Sequence, residues 1–302
     1  MSANRTIVLI HQRVNRWKLW RPRGLACTGV RVKAVARAEN AGPQRAYWDA
    51  VGRQWQARRY GELWRRCSDE IHRLWLDKAA GDLRGALVLK TDLFDEAFGD
   101  GLAEWFEQRG NRVIGCDLAF STARGAFQRR NCKASVVTDV RHLPFNSGRF
   151  DCVLSDSTLD HFENEKQIQR SLEELSRVLS PRGTLLLTMD NPRHPLVALR
   201  NLYPAIWQRL GAVPYSVGVT CSARRLRQLL EAAGFEVIET GAILHAPRVL
   251  VVAVCRWIEK LRGVREPAAW WLRWLNRFEM LGRLPCRQLT GHFVAVAARK
   301  SA

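Results

Sequence analysis

At 302 residues, with 47% apolar and 25% charged side chains, the chain can bury a full core and lacks the composition of a disordered or fibrous protein. Its formal net charge of +19 suggests a polyanion-binding protein, but the excess is concentrated at the ends: residues 1–45 carry ten Lys/Arg against one acid, and residues 246–302 eleven against three. Residues 46–245 hold 27 basic and 25 acidic side chains, so the centre is nearly neutral, and basic ends alone do not distinguish phosphate polymers from anionic lipid.

Residues 1–45 read as a disordered basic extension. Residues 46–83 follow as two amphipathic helices, with apolar side chains at Trp48, Val51, Trp55, Leu63, Trp64, Ile71, Leu74 and Trp75 spaced by threes and fours. From residue 84 strand and helix signals alternate. Strands are expected at residues 86–89, 112–116, 134–138, 150–154, 184–188 and 235–244, with a last one at 292–297. Helices are expected over residues 96–108, from the second strand to about Arg130, over 166–179, and over 222–233 with Ser222 as cap and Gly234 as stop. This alternation predicts an α/β, doubly wound, Rossmann-like sheet covered on both faces. Two segments interrupt it, 191–220 and 246–287, rich in Trp, Leu, Pro and Arg, and both read as lids over a substrate.

The eight cysteines are scattered with no C-x-x-C pair, which points to reduced thiols in a cytoplasmic protein and to no metal site. No apolar run approaches the about 20 residues that a membrane-spanning helix needs.

Ligands of an open parallel sheet bind beyond the carboxyl ends of its strands. The residues there are Lys90-Thr91-Asp92 through Glu96 after the first strand, Asp117-Leu118 after the second, Asp139-Val140 after the third, and Ser155 through His161 after the fourth. With Asp139-x-x-x-Leu-Pro-Phe145, Phe150-Asp151, Leu179-Ser-Pro-Arg-Gly-Thr-Leu-Leu186 and Ala232-Ala-Gly-Phe235, the ordered set resembles the class I S-adenosylmethionine-dependent methyltransferases of the small-molecule and lipid type. The resemblance implies a seven-stranded sheet with an antiparallel last strand, and S-adenosyl-L-methionine as cofactor. It implies that Asp117 holds the ribose diol and that Asp139 and the Val140 N–H meet the adenine.

The first loop departs from the family's glycine-rich run, with no glycine before Gly99. A loop without glycine takes positive φ only at a cost, so a different path is expected. Lys90, Thr91, Asp92 and Glu96 would then grip the amino-acid end of the cofactor by side chains, with Ser155 nearby. Methyl transfer from a sulfonium needs alignment and, for a hydroxyl acceptor, a base; His161 and His245 are the candidates beyond the fourth and sixth strands. The lids suggest a hydrophobic or lipid-like small molecule methylated at oxygen or carbon, with peripheral membrane contact through the basic, Trp-rich segments. Two alternatives stand beside this: an RNA methyltransferase, against which the nearly neutral core and the lack of an RNA-binding module argue, and a binding protein of this fold without catalysis.

Overall fold

The computed structural model describes residues 9–10, 42–58, 61–129, 132–209, 218–263 and 266–301. Its elements in chain order begin with a two-residue strand β1 (Leu9–Ile10) and helices α1 (Pro43–Arg58) and α2 (Glu62–Ala80). Then follow β2 (Leu87–Thr91), α3 (Phe94–Phe98), α4 (Ala103–Gln108), β3 (Arg112–Asp117), α5 (Phe120–Gln128), β4 (Ser135–Val137), β5 (Phe150–Asp156) and α6 (Glu165–Val178). The last third comprises β6 (Leu179–Asp190), α7 (Pro195–Leu202), α8 (Pro204–Arg209), α9 (Ala223–Ala232), β7 (Phe235–Ile243), α10 (Arg248–Arg262), α11 (Ala269–Phe278), α12 (Arg287–Thr290) and β8 (Phe293–Lys300).

The sheet order is β1-β4-β3-β2-β5-β6-β8-β7. Strands β2 to β6 are parallel and β8 runs antiparallel between β6 and β7, as the resemblance implied. Every side chain of β2 and β4 is buried, which is why these strands read as unbroken apolar runs rather than alternating ones. One face is covered by α6 and α9, through Ile168, Leu172, Leu175, Leu226 and Leu230. The other is covered by α2 and α4, through Ile71, Trp75, Leu76 and Phe106. A separate apolar cluster joins Leu63 and Cys67 of α2 to Val251 and Cys255 of α10 and to Trp271 and Leu275 of α11. The second lid therefore rests on α2.

The structure differs from expectation at three places. Leu9–Ile10, within the segment read as disordered, pairs antiparallel with β4, and α1 already begins at Pro43; residues 1–8 and 11–41 of that segment lie outside the described residues. The helix expected over 96–108 is two short helices, because Gly99-Asp100-Gly101 breaks it. The fifth strand is far longer than expected, Leu179–Asp190, and pairs with β8 from Thr184 to Asp190. The Ser222 cap is present, its hydroxyl accepting from the Arg225 N–H.

The break in α3–α4 is fixed from two sides. Gly101 has φ +70°, its N–H donates to Asp69 of α2 at 3.0 Å, and a Cβ there would lie 2.5 Å from the Glu96 carboxyl. Gly101→Ala combines a left-handed backbone with that overlap, so an expected loss of about 2–4 kcal/mol should appear as a lowered denaturant midpoint with an unchanged m-value.

Candidate active site

One pocket opens along the carboxyl ends of β2 to β5. Thr91, Asp92, Phe94 and Asp95 line it from the first loop, Asp117, Leu118 and Ala119 from the end of β3, and Asp139 and Val140 from beyond β4. Asp156, Ser157, Thr158 and His161 reach it from the end of β5. Trp64, Arg65, Ser68 and His72 of α2 close the far side with Arg248 and Phe293. Of the sequence candidates, Thr91, Asp92, Asp117, Leu118, Asp139, Val140 and His161 thus share a single pocket. Lys90, Glu96, Ser155 and His245 do not line it.

Lys90 and Glu96 are both fully buried and paired at 2.9 Å, Nζ to Oε2. Lys90 also donates to the Asp92 carbonyl at 2.6 Å, and the other Glu96 oxygen accepts from the Leu102 and Ala103 N–H groups at 2.9 and 3.1 Å. Burial alone would discharge the ammonium, but Glu96, with Asp92 and Asp156 behind it, holds its pKa above the ordinary lysine value. Neither group can therefore reach a cofactor's carboxylate or ammonium. They brace the loop from behind. Ser155 is likewise buried, its hydroxyl accepting from Thr91.

The loop does take positive φ without glycine. Asp92 sits at φ +68°, and its carboxylate accepts from the Phe94 N–H at 2.7 Å. Aspartate tolerates this region because a short side chain can bond its own backbone two residues on.

Asp117 is held by two backbone donors, Leu93 N–H at 2.9 Å and Ala119 N–H at 2.7 Å, one on each oxygen. Each oxygen keeps a second lone pair for the pocket. Burial raises its carboxyl to about 6, opposed by those two N–H groups and by Lys90. Asp139 is clamped by Arg141, whose Nε lies 2.9 and 3.0 Å from the two carboxylate oxygens and whose Nη2 lies 2.5 Å from Oδ2. Arg141 also donates to Gln44 of α1 at 2.9 Å and covers the ring of Phe162, so it ties α1 to this rim.

His161 ends a 3-10 turn, Leu159–His161, and packs 4.7 Å from the ring of Trp48. His245 is placed elsewhere. It is buried, with Nδ1 2.8 Å from the Thr290 hydroxyl and Nε2 3.0 Å from the Ala242 carbonyl, so both nitrogens are engaged and the role of base is withdrawn. The histidine missed by sequence reading is His72. Its Nδ1 lies 2.8 Å from the Ser68 carbonyl and its Nε2 3.2 Å from Asp156 Oδ1. Both nitrogens face acceptors, so the ring carries two protons; burial opposes this, but Asp156 raises its pKa to about 9. A signal existed: Trp64, Ser68 and His72 recur every fourth residue, a polar face beside the apolar Leu63-Cys67-Ile71 stripe.

The methyltransferase domain family matches residues 97–187. A malonyl-[acyl-carrier protein] O-methyltransferase of Hamiltonella defensa is 26% identical over 136 residues, 45% of this chain and 48% of that protein, so the chain spans about half the length of this relative. The demethylmenaquinone methyltransferase of Thermus thermophilus is 30% identical over 167 residues, 48% of this chain and 74% of that enzyme. The chain belongs to the class I S-adenosylmethionine-dependent methyltransferases. An S-adenosylmethionine-dependent methyltransferase of Thermotoga maritima shares the fold, at 16% identity with a TM-score of 0.53 over 85% of this chain and 99% of that one.

The cofactor of this methyltransferase is S-adenosylmethionine, and the pocket fits it. At the end of β3, Asp117 presents to the pocket two oxygens already fixed by backbone donors, a rigid acceptor pair for a diol. Asp95 and Asp156 of this pocket are paired with Arg65 and His72, and burial raises the carboxyls of Asp92 and Asp117, so the pocket offers a bound cofactor hydrogen-bond acceptors rather than a strong net charge. Replacing Asp117 by Asn keeps the shape and removes the charge-assisted bonds, for an expected loss of about 2–4 kcal/mol, roughly 30- to 1000-fold in affinity for S-adenosylhomocysteine by calorimetry. Diol bonds favour the ionised carboxylate. Affinity should therefore hold above pH 6 and fall as pH drops through the raised value of about 6. A flat profile between roughly pH 5 and 7.5 would remove Asp117 from the site.

Proposed function

We propose that the protein methylates an oxygen or carbon of a small lipophilic molecule that it meets at a membrane surface. The observation that carries this reading is the pocket's two-part lining. Asp92, Asp117 and Asp139 line it beyond β2 to β4, and the wall of α2, α10 and β8 sets the rings of Trp64 and Phe293 beside Arg65, Ser68, His72 and Arg248. When bound, S-adenosylmethionine supplies an electrophilic methyl on a positively charged sulfur, so the chain has only to align the acceptor and accept its proton. Asp117 and Asp139 would fix the nucleoside, Thr91 and Asp92 would face its amino-acid end, and His161 would take the proton of an acceptor hydroxyl. Trp48, packed on His161, would hold that ring in place.

Incubating the protein with labelled S-adenosylmethionine and fractionated extract tests the reaction. Label is expected in the organic-soluble small-molecule fraction. Label in RNA would replace this reading by the RNA-directed one, and no label in any fraction would support a non-catalytic binding protein. Replacement of His161 by Asn should lower turnover by about 10²- to 10⁴-fold with cofactor affinity unchanged; unaltered turnover would show that another group takes the proton.

The membrane part rests on the lids. Of 15 exposed large apolar side chains among the described residues, 13 lie between Leu196 and Ile206 or between Val249 and Leu289, so the exposed apolar surface is concentrated at the lids. On α10, Val249, Ala253, Trp257 and Leu261 make an outward stripe flanked by exposed Arg256 and Lys260, with Trp257 64% exposed. The three acids of residues 246–302 do not neutralise it. Glu259 turns in to accept from Leu63 N–H, Glu279 accepts from His245 N–H, and Glu266 pairs with Arg66. No helix among the described residues is long and apolar enough to cross a membrane, so the contact would be peripheral. Sedimentation with phosphatidylglycerol vesicles, but not with phosphatidylcholine vesicles, is expected. Trp257→Ser with Trp270→Ser should weaken it at least about tenfold, whereas equal binding by that variant would place the contact elsewhere.

A further inference from the structure

Arg248 stands out among the cations of the pocket. Arg65 is paired with Asp95 at 2.5 Å, and His72 with Asp156 at 3.2 Å. Arg248 lines the same pocket, yet among the described residues no carboxylate lies within ion-pair distance of it. Its position is nonetheless built. The guanidinium carbon lies 5.6 Å from the ring centre of Trp64 and 5.8 Å from that of Phe293, and Nη1 is hydrogen-bonded to His292 Nε2. The same Nε2 lies 3.3 Å from Asp190 Oδ1, so it serves one neighbour at a time: unprotonated it accepts from Arg248, which has only donors, and protonated it donates to Asp190. Burial and then Arg248 itself push the His292 imidazole down to about 4, outweighing the Asp190 carboxylate 3.3 Å away. Asp190 in turn is neutralised by Arg200 at 2.6 Å. Arg248 thus has no carboxylate in direct contact, Asp190 acting on it only across His292 while paired with Arg200, and it stands beside two aromatic rings.

We infer that Arg248 anchors an anionic group, a carboxylate or a phosphate, on the lipophilic acceptor. This rests on the methyltransferase reading of the pocket and narrows its substrate class. A planar guanidinium offers two parallel donors to either anion, and aromatic rings on both sides limit its hydration and strengthen the pairing. The charge lies on the pocket wall formed by α2, α10 and β8, whereas Asp117 and Asp139 come from beyond β3 and β4, so the anion would draw on a donor that those two acids do not use. A carboxylate held by a guanidinium is also a weaker nucleophile, which makes it a handle and leaves the methyl to another atom of the acceptor.

The test is equilibrium binding of dodecanoate, dodecyl phosphate and dodecanol, each below micelle-forming concentration, to the full chain loaded with S-adenosylhomocysteine. At least one of the anions is expected to bind about tenfold or more tightly than dodecanol, and the tighter of the two identifies the group. Arg248→Gln should abolish that preference, while Arg248→Lys retains part of it, with S-adenosylhomocysteine affinity unchanged in both. Equal binding of alcohol and anions, no binding by either anion, or a preference that survives Arg248→Gln would overturn the proposal. Failure of the wild-type protein to bind S-adenosylhomocysteine would instead sink the cofactor-dependent reading, and it is measured separately on the same samples.

Discussion

The site depends on a buried ion pair between Lys90 and Glu96. In an apolar interior two such charges survive only if each is paired and its remaining valences are used, and both conditions are met here. Lys90 ends the first strand of the central pair and donates to the carbonyl of Asp92; Glu96 receives the two N–H groups that open α4. The pair therefore fixes both ends of the loop from residue 91 to residue 103. A fixed loop aims the Leu93 N–H at Asp117, and Asp117, so held, faces the pocket. Breaking one partner would leave an uncompensated buried charge, a cost of about 3–5 kcal/mol in comparable sites.

This arrangement explains how a chain without the glycine-rich run keeps the architecture around it. Glycine normally supplies a left-handed turn and close approach. Here Asp92 supplies the turn at φ +68°, and the buried pair supplies the rigidity. The substitutions act together: without Glu96 the lysine would be an unpaired buried cation.

The layout of the sheet was legible because β2, β3, β5 and β6 are apolar on both faces and are separated by helices at short spacing. Asp117 and Asp139 were legible because each follows a strand, and the sheet's geometry alone brings strand ends together. Lys90 and Glu96 were misread for a physical reason. Charged residues in a loop beside a ligand site ordinarily point at the ligand, and nothing in linear order shows that these two point at each other. His245 failed similarly, because the Thr290 hydroxyl that engages its Nδ1 comes from a remote segment and the Ala242 carbonyl at its Nε2 is brought there by the local fold after β7. The far wall of the pocket was hidden for a different reason. Trp64, Ser68 and His72 belong to a helix that precedes the alternating strand–helix core, and Arg248 and Phe293 lie 184 and 229 residues beyond Trp64.

The pocket so formed places Asp92 and Asp117 beyond β2 and β3, where the cofactor fits, and an arginine beside aromatic rings, where the acceptor would sit. The second lid, α10 and α11, is anchored on α2, the helix that supplies His72 and Trp64. Surface and site are thus coupled through one rigid helix. The most direct measurement of this account is a crystal structure of the protein grown with millimolar S-adenosylhomocysteine. The account predicts the ribose hydroxyls against Asp117, the adenine beside Asp139 and Val140, and the Lys90–Glu96 pair intact behind the loop. Ligand bound elsewhere, or a well-ordered pocket that holds none at that concentration, would contradict it.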